Sequence, residues 1–240
     1  MLENPANTPT PVELYRSVLS AAENKSINII SIGFLTNIAD LLRSGSDSIS
    51  DISGLDLVTS KVRELVVMGG EYPSGWEYNF SEDGESTQYV LEHWPKTVPI
   101  TFSGVELGGE IYSGQTLMTD VPFDSPVRAA YEWYIGRCNT TQKSWDPLTM
   151  LYGVLGFDKY REWGFRKMFA FANNDGYNSF ETATGLNAWV DNWAMTTQHW
   201  LKLADGVTNE DVSGLLDFFF ALDPTMEHSF VQNGPISMES

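Results

Sequence analysis

The sequence predicts a single α/β domain in which helices cover both faces of a mostly parallel sheet. Short apolar runs that end at glycine or serine alternate along the chain with amphipathic runs of helical periodicity. Such alternation is typical of βαβ units, and uniformly apolar strands are typical of a parallel sheet with both faces covered. At 240 residues the chain is long enough for one domain with a full core, and no linker divides it.

The predicted elements follow from hydrophobic spacing along the chain. Four apolar runs predict strands at residues 27–32, 64–68, 98–102 and 168–172. Apolar side chains at helical spacing predict helices at residues 12–22, 38–43, 57–62, 85–94, 126–137, 146–154, 188–203 and 211–222. Ligands bind beyond the carboxyl ends of the strands in sheets of this kind, so we expect the functional residues in the loops that follow the strands.

Composition narrows the classes of partner. The chain has 32 acidic and 14 basic residues, a net charge of −18, which repels nucleic acid and anionic lipid headgroups. A neutral or cationic small molecule or a divalent cation is compatible with that charge. The single cysteine, Cys138, excludes an internal disulfide framework and a cysteine metal cluster. We find no apolar run of membrane-spanning length and no signal-peptide pattern, so we expect a soluble chain of undetermined compartment.

Several common catalytic motifs are missing. The sequence has no G-x-S-x-G, no G-x-x-x-x-G-K-[ST], no G-x-G-x-x-G and no H-E-x-x-H. The three histidines, His93, His199 and His228, are too scattered to suggest a histidine metal cluster, and we expect helix or surface positions for them. Chemistry must therefore depend on carboxylates, amides and aromatic side chains.

Polar residues follow two of the predicted strands. Thr36 and Asn37 come just after the first strand, where they can also serve as a plain helix cap. Glu77 and Asn79 follow the second strand, and their spacing of two sends both side chains to one side if the backbone is extended. A carboxylate beside an amide can bind the vicinal hydroxyls of a sugar. A surface loop is the alternative interpretation.

A second candidate pair begins a predicted helix. Asp146 lies in the segment KSWDPL with Pro147 in the first helical turn, so N-capping accounts for it unless a metal is bound. Trp145 precedes it and can either stack on a base or fill the core. Both interpretations stay open from the residues alone.

Taken together and in order, these residues resemble the inosine-uridine-preferring nucleoside hydrolase family. The resemblance covers residues 12–155 well and the remainder loosely, and it implies a Rossmann-like fold and one domain over residues 1–240. The segments that carry it are IISIGFLTNIADLL, ELVVMGG, WEYNF, VPITFSGVELG and SWDPLTMLYGV.

The resemblance implies an activity and a role for each matching residue. Family members hydrolyse the N-glycosidic bond of ribonucleosides with a water bound to Ca²⁺. The backbone carbonyl of Thr36 and the carboxylate of Asp146 would be calcium ligands, in keeping with the preference of Ca²⁺ for six to eight oxygen donors. The substrate-binding residues implied are Met68, Glu77 and Asn79 at the ribose and Trp145, which would stack on the base.

One departure from the family pattern concerns catalysis itself. The family's acidic D-x-D-x-x-x-D-D motif, which supplies most calcium carboxylates and the base that activates water, occurs nowhere in the chain. This implies that the first βα unit is missing, and we expect poor hydrolysis and a strand edge left uncovered. Two hypotheses remain: a hydrolase truncated before Met1, or a ribonucleoside-binding pseudoenzyme.

The sequence leaves base preference and oligomeric state undetermined, and it is compatible with a homo-oligomer. It also contains three N-glycosylation triplets, at Asn24, Asn79 and Asn139. A glycan on Asn79 would block the proposed sugar site.

Overall fold

A computed structural model describes residues 8–136 and 139–222 of the chain. The chain divides into two compact units. The first unit is Met1–Phe102 with Asn173–Trp200, and the second unit is Ser103–Ala172 with Leu201–Ser240.

The described residues form ten α-helices, one 3₁₀ helix and ten strands. The α-helices are α1 Pro11–Ala21, α2 Thr36–Arg43, α3 Gly54–Lys61, α4 Tyr78–Glu82, α5 Gly84–His93, α6 Val105–Gly109, α7 Leu117–Asp120, α8 Pro126–Ile135, α9 Trp145–Leu155 and α10 Asn209–Ala221. The 3₁₀ helix is Lys159–Trp163. The strands are β1 Ile27–Ser31, β2 Val62–Met68, β3 Ser74–Trp76, β4 Ile100–Ser103, β5 Tyr112–Ser113, β6 Gln142–Lys143, β7 Phe169–Phe171, β8 Tyr177–Glu181, β9 Leu186–Val190 and β10 Gln198–Leu203.

The first unit contains a sheet with the strand order β1-β2-β4-β10. β1 pairs in parallel with β2, and β4 pairs in parallel with residues 198–200 of β10. Ile29 of β1, Leu65 of β2 and Phe102 of β4 belong to one buried apolar cluster. Side chains of α2, α3 and α5 belong to the same cluster. The predicted mostly parallel α/β fold is confirmed. Among the described strands, β1 pairs with β2 alone, so it is an edge strand.

The first helix shows how local sequence sets an element boundary. Thr10 and Glu13 form a capping box in which the backbone N–H of Thr10 donates to the Glu13 carboxylate at 2.7 Å. Pro11 follows at the first helical position, where its missing N–H costs no hydrogen bond. The helix then buries Leu19 and Arg16, so it is fixed to the unit by more than apolar contact.

Arg16 is fully buried, and it organises the loop between α2 and α3. Its guanidinium donates to both carboxylate oxygens of Asp47, at 2.7 and 3.0 Å. The same group donates to the carbonyls of Ser50 and Ile52, each at 3.0 Å. These hydrogen bonds hold a loop that has no regular secondary structure of its own.

The helix predicted at residues 188–203 is wrong. These residues form β9, a loop and β10, and β9 lies between β3 and β8 in a three-stranded antiparallel sheet. Residues 182–185 make the β8–β9 turn, in which Gly185 has a φ of +71° that glycine adopts without strain. Aromatic and β-branched side chains that pair across strands here outweigh the helical spacing in the sequence.

The second unit is mainly helical. α10 begins with a capping box of Thr208 and Asp211 and packs against β5, α7 and α9. β5 pairs with β6, and residues 201–203 of β10 pair antiparallel with β7. No helix in the described part of the chain is long and apolar enough to cross a membrane.

Candidate functional site

Glu77 is buried and forms the N-cap of α4. Its carboxylate accepts the backbone N–H of Asn79 at 2.7 Å and that of Phe80 at 3.0 Å. It also accepts the N–H of Gly70 at 3.2 Å, from the turn that follows β2. The side chain therefore joins the end of β2 to the first turn of α4 with charge-assisted hydrogen bonds.

Asn79 lies half-buried in that first turn and contacts the last residue of β2. Its Nδ2 donates to the carbonyl of Met68 at 3.2 Å and lies 3.1 Å from the Met68 sulfur. No residue in the ranges 8–136 and 139–222 donates a hydrogen bond to its Oδ1, which leaves that oxygen as an acceptor for another molecule. The structure thus brings together three of the predicted binding residues, Met68, Glu77 and Asn79.

Two features predicted for this segment are wrong. Glu77 is only 3% exposed, so the alternative interpretation as a surface loop does not hold. The condition of an extended backbone is also not met, because Glu77 is extended but Asn79 is helical. The two residues meet through the cap of α4, and a spacing of two on a strand is not the reason.

The glycine pair after β2 makes room for this arrangement. A Cβ on Gly69 would lie 2.2 Å from the buried ring of Phe80, closer than real Cβ contacts allow. Gly70 has a φ of +80°, a conformation that favours glycine. The sequence M-G-G therefore lets the chain turn tightly against Phe80 and direct the Gly70 N–H to Glu77.

Thr36 does not cap α2, so the predicted helix-cap role for this residue is wrong. The N-cap of α2 is Leu35, without a side-chain hydrogen bond, and Thr36 and Asn37 are the first two helical residues. The Thr36 hydroxyl instead donates to the carboxylate of Asp83. As a residue in the first turn, Thr36 also presents its carbonyl to the helical hydrogen bond from residue 40, which occupies one of the two lone pairs.

Asp83 was not among the predicted site residues. It separates α4 from α5 and caps α5 by accepting the N–H of Ser86 at 3.2 Å. Burial raises the pKa of this carboxyl, but the hydrogen bonds from Thr36 and Ser86 and the charge of Arg43 lower the pKa by more than burial raises it. The net shift of the pKa is therefore downward. An aspartate three residues before a serine or glutamate at the start of a helical run is the signal that could have identified this cap.

In the second unit, Asp146 is the second residue of α9 and is not its cap. The N-cap is Ser144, so the predicted explanation of Asp146 by N-capping is wrong. Its side chain remains partly open to solvent, yet desolvation by neighbouring protein atoms raises its pKa. No donor among the described residues hydrogen-bonds its carboxylate. The positive end of the α9 dipole is the one local feature here that favours its charge.

Trp145 opens α9 and is half-buried. Its indole Nε1 donates to the carbonyl of Val105 at 2.9 Å, and the ammonium of Lys143 lies 5.4 Å from its ring centroid. A Cβ on Gly108 would lie 2.6 Å from the Trp145 Cα, so α6 approaches α9 closely at this glycine. Packing within the second unit thus fixes the ring, and its stacking on a base stays a prediction.

A polar network in the second unit escaped the sequence analysis. The hydroxyls of Ser113 and Ser144 hydrogen-bond at 2.6 Å, and Tyr131 hydrogen-bonds to Ser113. Burial raises the pKa of Tyr131, as do the charges of Asp217 and Asp146. Asp217 is buried and accepts the backbone N–H of Gly114, and burial raises its pKa. Serine and tyrosine carry no spacing signal for such a network, so only tertiary structure reveals it.

The described residues do not by themselves fit a calcium site. Among them, no three histidine, cysteine, aspartate or glutamate side chains lie together as a metal-binding group. Thr36 belongs to the first unit and Asp146 to the second, and as ligands they would supply only two of the six to eight oxygens that Ca²⁺ requires. His93 and His199 lie in α5 and β10. His228 and Cys138 lie outside the described residues.

Comparison with known proteins identifies the family and the fold of the chain. Residues 2–174 match the family model of the inosine-uridine preferring nucleoside hydrolases. Among solved structures, the chain is similar to a purine-preferring ribonucleoside hydrolase from Gardnerella vaginalis, with 15% sequence identity and a TM-score of 0.54. The match covers 90% of this chain and 69% of that one, and at this identity it shows a shared fold. No curated protein sequence matches the chain.

Proposed function

Because this chain belongs to the inosine-uridine-preferring nucleoside hydrolase family, we propose that it is a nucleoside N-ribohydrolase-like protein. Its substrates would be purine or pyrimidine ribonucleosides, and the bond concerned is the N-glycosidic bond. The observation that carries the proposal is the cluster of Met68, Glu77 and Asn79 at the end of β2, where an amide side chain presents an unused acceptor. The net charge of −18 supports a neutral nucleoside over a nucleic acid.

Each residue of the cluster has a distinct task in binding ribose. The Asn79 Oδ1 would accept a hydrogen bond from a sugar hydroxyl, while its Nδ2 keeps the side chain oriented through Met68. The Met68 thioether would contact the apolar face of the sugar. Three backbone N–H groups already occupy the Glu77 carboxylate. Its main contribution is therefore to hold the turn and α4 in place.

For the base, we propose Trp145 as the stacking residue. The indole ring is held by its hydrogen bond to Val105 and is half-buried, so it would bind a flat ring with little loss of side-chain entropy. A tryptophan has no proton to give at neutral pH, so stacking would favour departure of the base without general acid catalysis.

Ca²⁺ is proposed on the family resemblance alone, which gives the Thr36 carbonyl of the first unit and the Asp146 carboxylate of the second unit as candidate ligands. Two protein oxygens bind Ca²⁺ weakly, and the chain contains no D-x-D-x-x-x-D-D motif. We therefore propose that the chain hydrolyses nucleosides very poorly by itself.

A specific observation also favours a second candidate, a non-catalytic ribonucleoside-binding protein. The Met68, Glu77 and Asn79 cluster is complete within the first unit, whereas no three-ligand acidic group exists among the described residues. Recognition could therefore persist without turnover.

Calorimetric titration with inosine tests recognition, and ribose release measured with CaCl₂ and with EDTA tests turnover. We expect inosine to bind and Asn79→Ala to weaken binding about tenfold, the value of one good polar contact. Asn24→Ala is the matched control, because Asn24 is an exposed asparagine of the same unit. Unchanged affinity in Asn79→Ala would refute the site, and robust calcium-dependent ribose release would refute the expected poor turnover.

A further inference from the structure

We propose that Asp83 is a positioning residue that attaches the loop after β1 to α4, so that α4 presents Asn79 to ribose in a fixed position. The identity of the ligand rests on the proposed function. The attachment of the loop to α4, called the lock, rests on the Thr36–Asp83 hydrogen bond and the Phe34–Tyr78 ring contact. The loop after β1 is defined here as residues 32–36 and is called the Thr36 loop.

Asp83 is at the junction of three segments. It follows the last residue of α4 and precedes the first residue of α5. One carboxylate oxygen accepts the N–H of Ser86 and caps α5, and the other accepts the hydroxyl of Thr36. A single side chain therefore ties the Thr36 loop to the segment that carries Asn79.

Thr36 is available for this bond because it has no capping duty. α2 begins after Leu35, whose carbonyl accepts both the Ile38 and the Ala39 N–H groups. The Thr36 side chain is exposed and reaches across 47 positions of sequence to Asp83. A long-range hydrogen bond made by an exposed side chain at the start of α2 contributes little to the core, which favours a role in positioning.

A second contact joins the same two segments on the other side of Asn79. The rings of Phe34 and Tyr78 lie 5.8 Å apart between centroids and are 43% and 56% exposed. Behind them, α2 packs along α5, and the guanidinium of Arg43 lies 4.0 Å from the ring centroid of Tyr89. The Thr36 loop is thus attached at Phe34 and Thr36, and α4 lies between the two attachment points.

This double attachment has a consequence for affinity. A loop that must become ordered on binding reduces affinity, whereas a loop that is already fixed does not. Release of the Thr36 loop would therefore weaken ribonucleoside binding even though Asp83 itself need not touch the ligand.

The test uses Asp83→Asn and Thr36→Val in the full chain. Asparagine caps helices as well as aspartate does, so Asp83→Asn keeps the α5 cap while an amide nitrogen replaces the carboxylate oxygen that accepts from Thr36, and the charge-assisted bond is lost. Thr36→Val removes the hydroxyl with little change of shape. Asp56→Asn is the matched control, because Asp56 is an exposed aspartate that accepts the Ser53 hydroxyl at 2.6 Å at the start of α3.

Two readouts are measured, inosine affinity by calorimetry and amide hydrogen exchange of residues 32–36 and 78–82. We expect each single substitution to weaken inosine binding about tenfold, and the double substitution to weaken it about tenfold as well, because both remove one interaction. Exchange should rise in both segments of the two variants and stay unchanged in the control.

Additive effects in the double variant, or exchange and affinity equal to the Asp56→Asn control, overturn the inference. If the unsubstituted chain binds no inosine, the proposed function fails. In that case hydrogen exchange still tests whether Asp83 attaches the Thr36 loop to α4. Faster exchange in both segments supports the attachment, and unchanged exchange overturns it.

Discussion

The side-chain nitrogen of Asn79 donates to the carbonyl of Met68 at 3.2 Å, and this bond joins the last residue of β2 to the first turn of α4. The same turn is held from the other side by Glu77, whose carboxylate accepts three backbone N–H groups. The proposed ribose site and the local stability of this turn therefore involve neighbouring groups, and substitutions can test them separately.

Replacement of Gly69 by alanine should destabilise the first unit. The added Cβ would lie 2.2 Å from the buried Phe80 ring, so the ring or the turn must move. Overpacking of this kind lowers the free energy of unfolding by about 1–3 kcal/mol, which urea denaturation measures. Gly33→Ala is the control, since nothing lies within 4 Å of its Cβ position. Equal unfolding free energies for the two variants would contradict the packing argument.

Glu77→Gln should weaken the turn after β2. A glutamine has one acceptor oxygen in place of two, so at least one of the bonds from Gly70, Asn79 and Phe80 is lost. We expect a decrease of about 2 kcal/mol in the free energy of unfolding, the range for hydrogen bonds to a charged group. Glu82→Gln changes an exposed glutamate of the same helix and should have little effect. A Glu77→Gln variant as stable as Glu82→Gln would show that the cap is dispensable.

Asp146→Asn should raise the thermal midpoint in calcium-free buffer. Desolvation penalises the Asp146 charge, and no described residue donates a hydrogen bond to it, so its removal relieves an unfavourable term. Calcium should raise the midpoint of the unsubstituted chain and leave that of Asp146→Asn unchanged, if the carboxylate is a ligand. Asp158→Asn, at an exposed position in the same unit, serves as the control in scanning fluorimetry. An equal response of all three proteins to calcium would remove Asp146 from the proposed ligand set.

Stability should fall in acid because of the ion pair of Arg16 and Asp47. The hydrogen bonds from Arg16 lower the pKa of Asp47 below its ordinary value of 3.8. A lowered folded pKa means that the stabilisation is complete above that ordinary value and is lost as the pH falls through the folded value. Asp47→Asn should therefore be less stable at neutral pH and less sensitive to acid, by urea denaturation at decreasing pH. Asp51→Asn in the same loop is the control. If Asp47→Asn loses stability in acid as steeply as the unsubstituted chain does, the ion pair is not the cause of the acid sensitivity.

Most strands and helices in residues 12–102 could be predicted because apolar periodicity there agrees with tertiary structure, but the short elements β3 and α4 were not predicted. The predicted strand at residues 64–68 falls within β2, and the predicted helix at residues 85–94 differs from α5 by one residue at each end. Apolar periodicity did not predict the structure of residues 188–203, because β9 and β10 are defined by pairing with other strands. The pattern Y-N-S-F-E, a turn with glycine, then L-N-A-W-V was an available hairpin signal.

In the candidate site, the residue types could be predicted from the sequence and their geometry could not. Residue types at strand ends pointed to Met68, Glu77 and Asn79, which the structure places in contact. Their geometry was not predictable, because it depends on Glu77 being the N-cap of a short helix, α4, that the sequence did not indicate. Asp83 stayed hidden because its partner, Thr36, lies 47 positions away in sequence.

Magnetic resonance of the Asn79 side chain tests the central claim most directly. Isotope-labelled protein is titrated with inosine, and the side-chain amide resonances of Asn79 are assigned by their absence from Asn79→Asp. Those resonances should shift progressively and saturate together with binding, because in the proposed site a ribose hydroxyl donates to the Asn79 Oδ1. Inosine binding that perturbs other residues and leaves the Asn79 side chain unchanged would contradict the account.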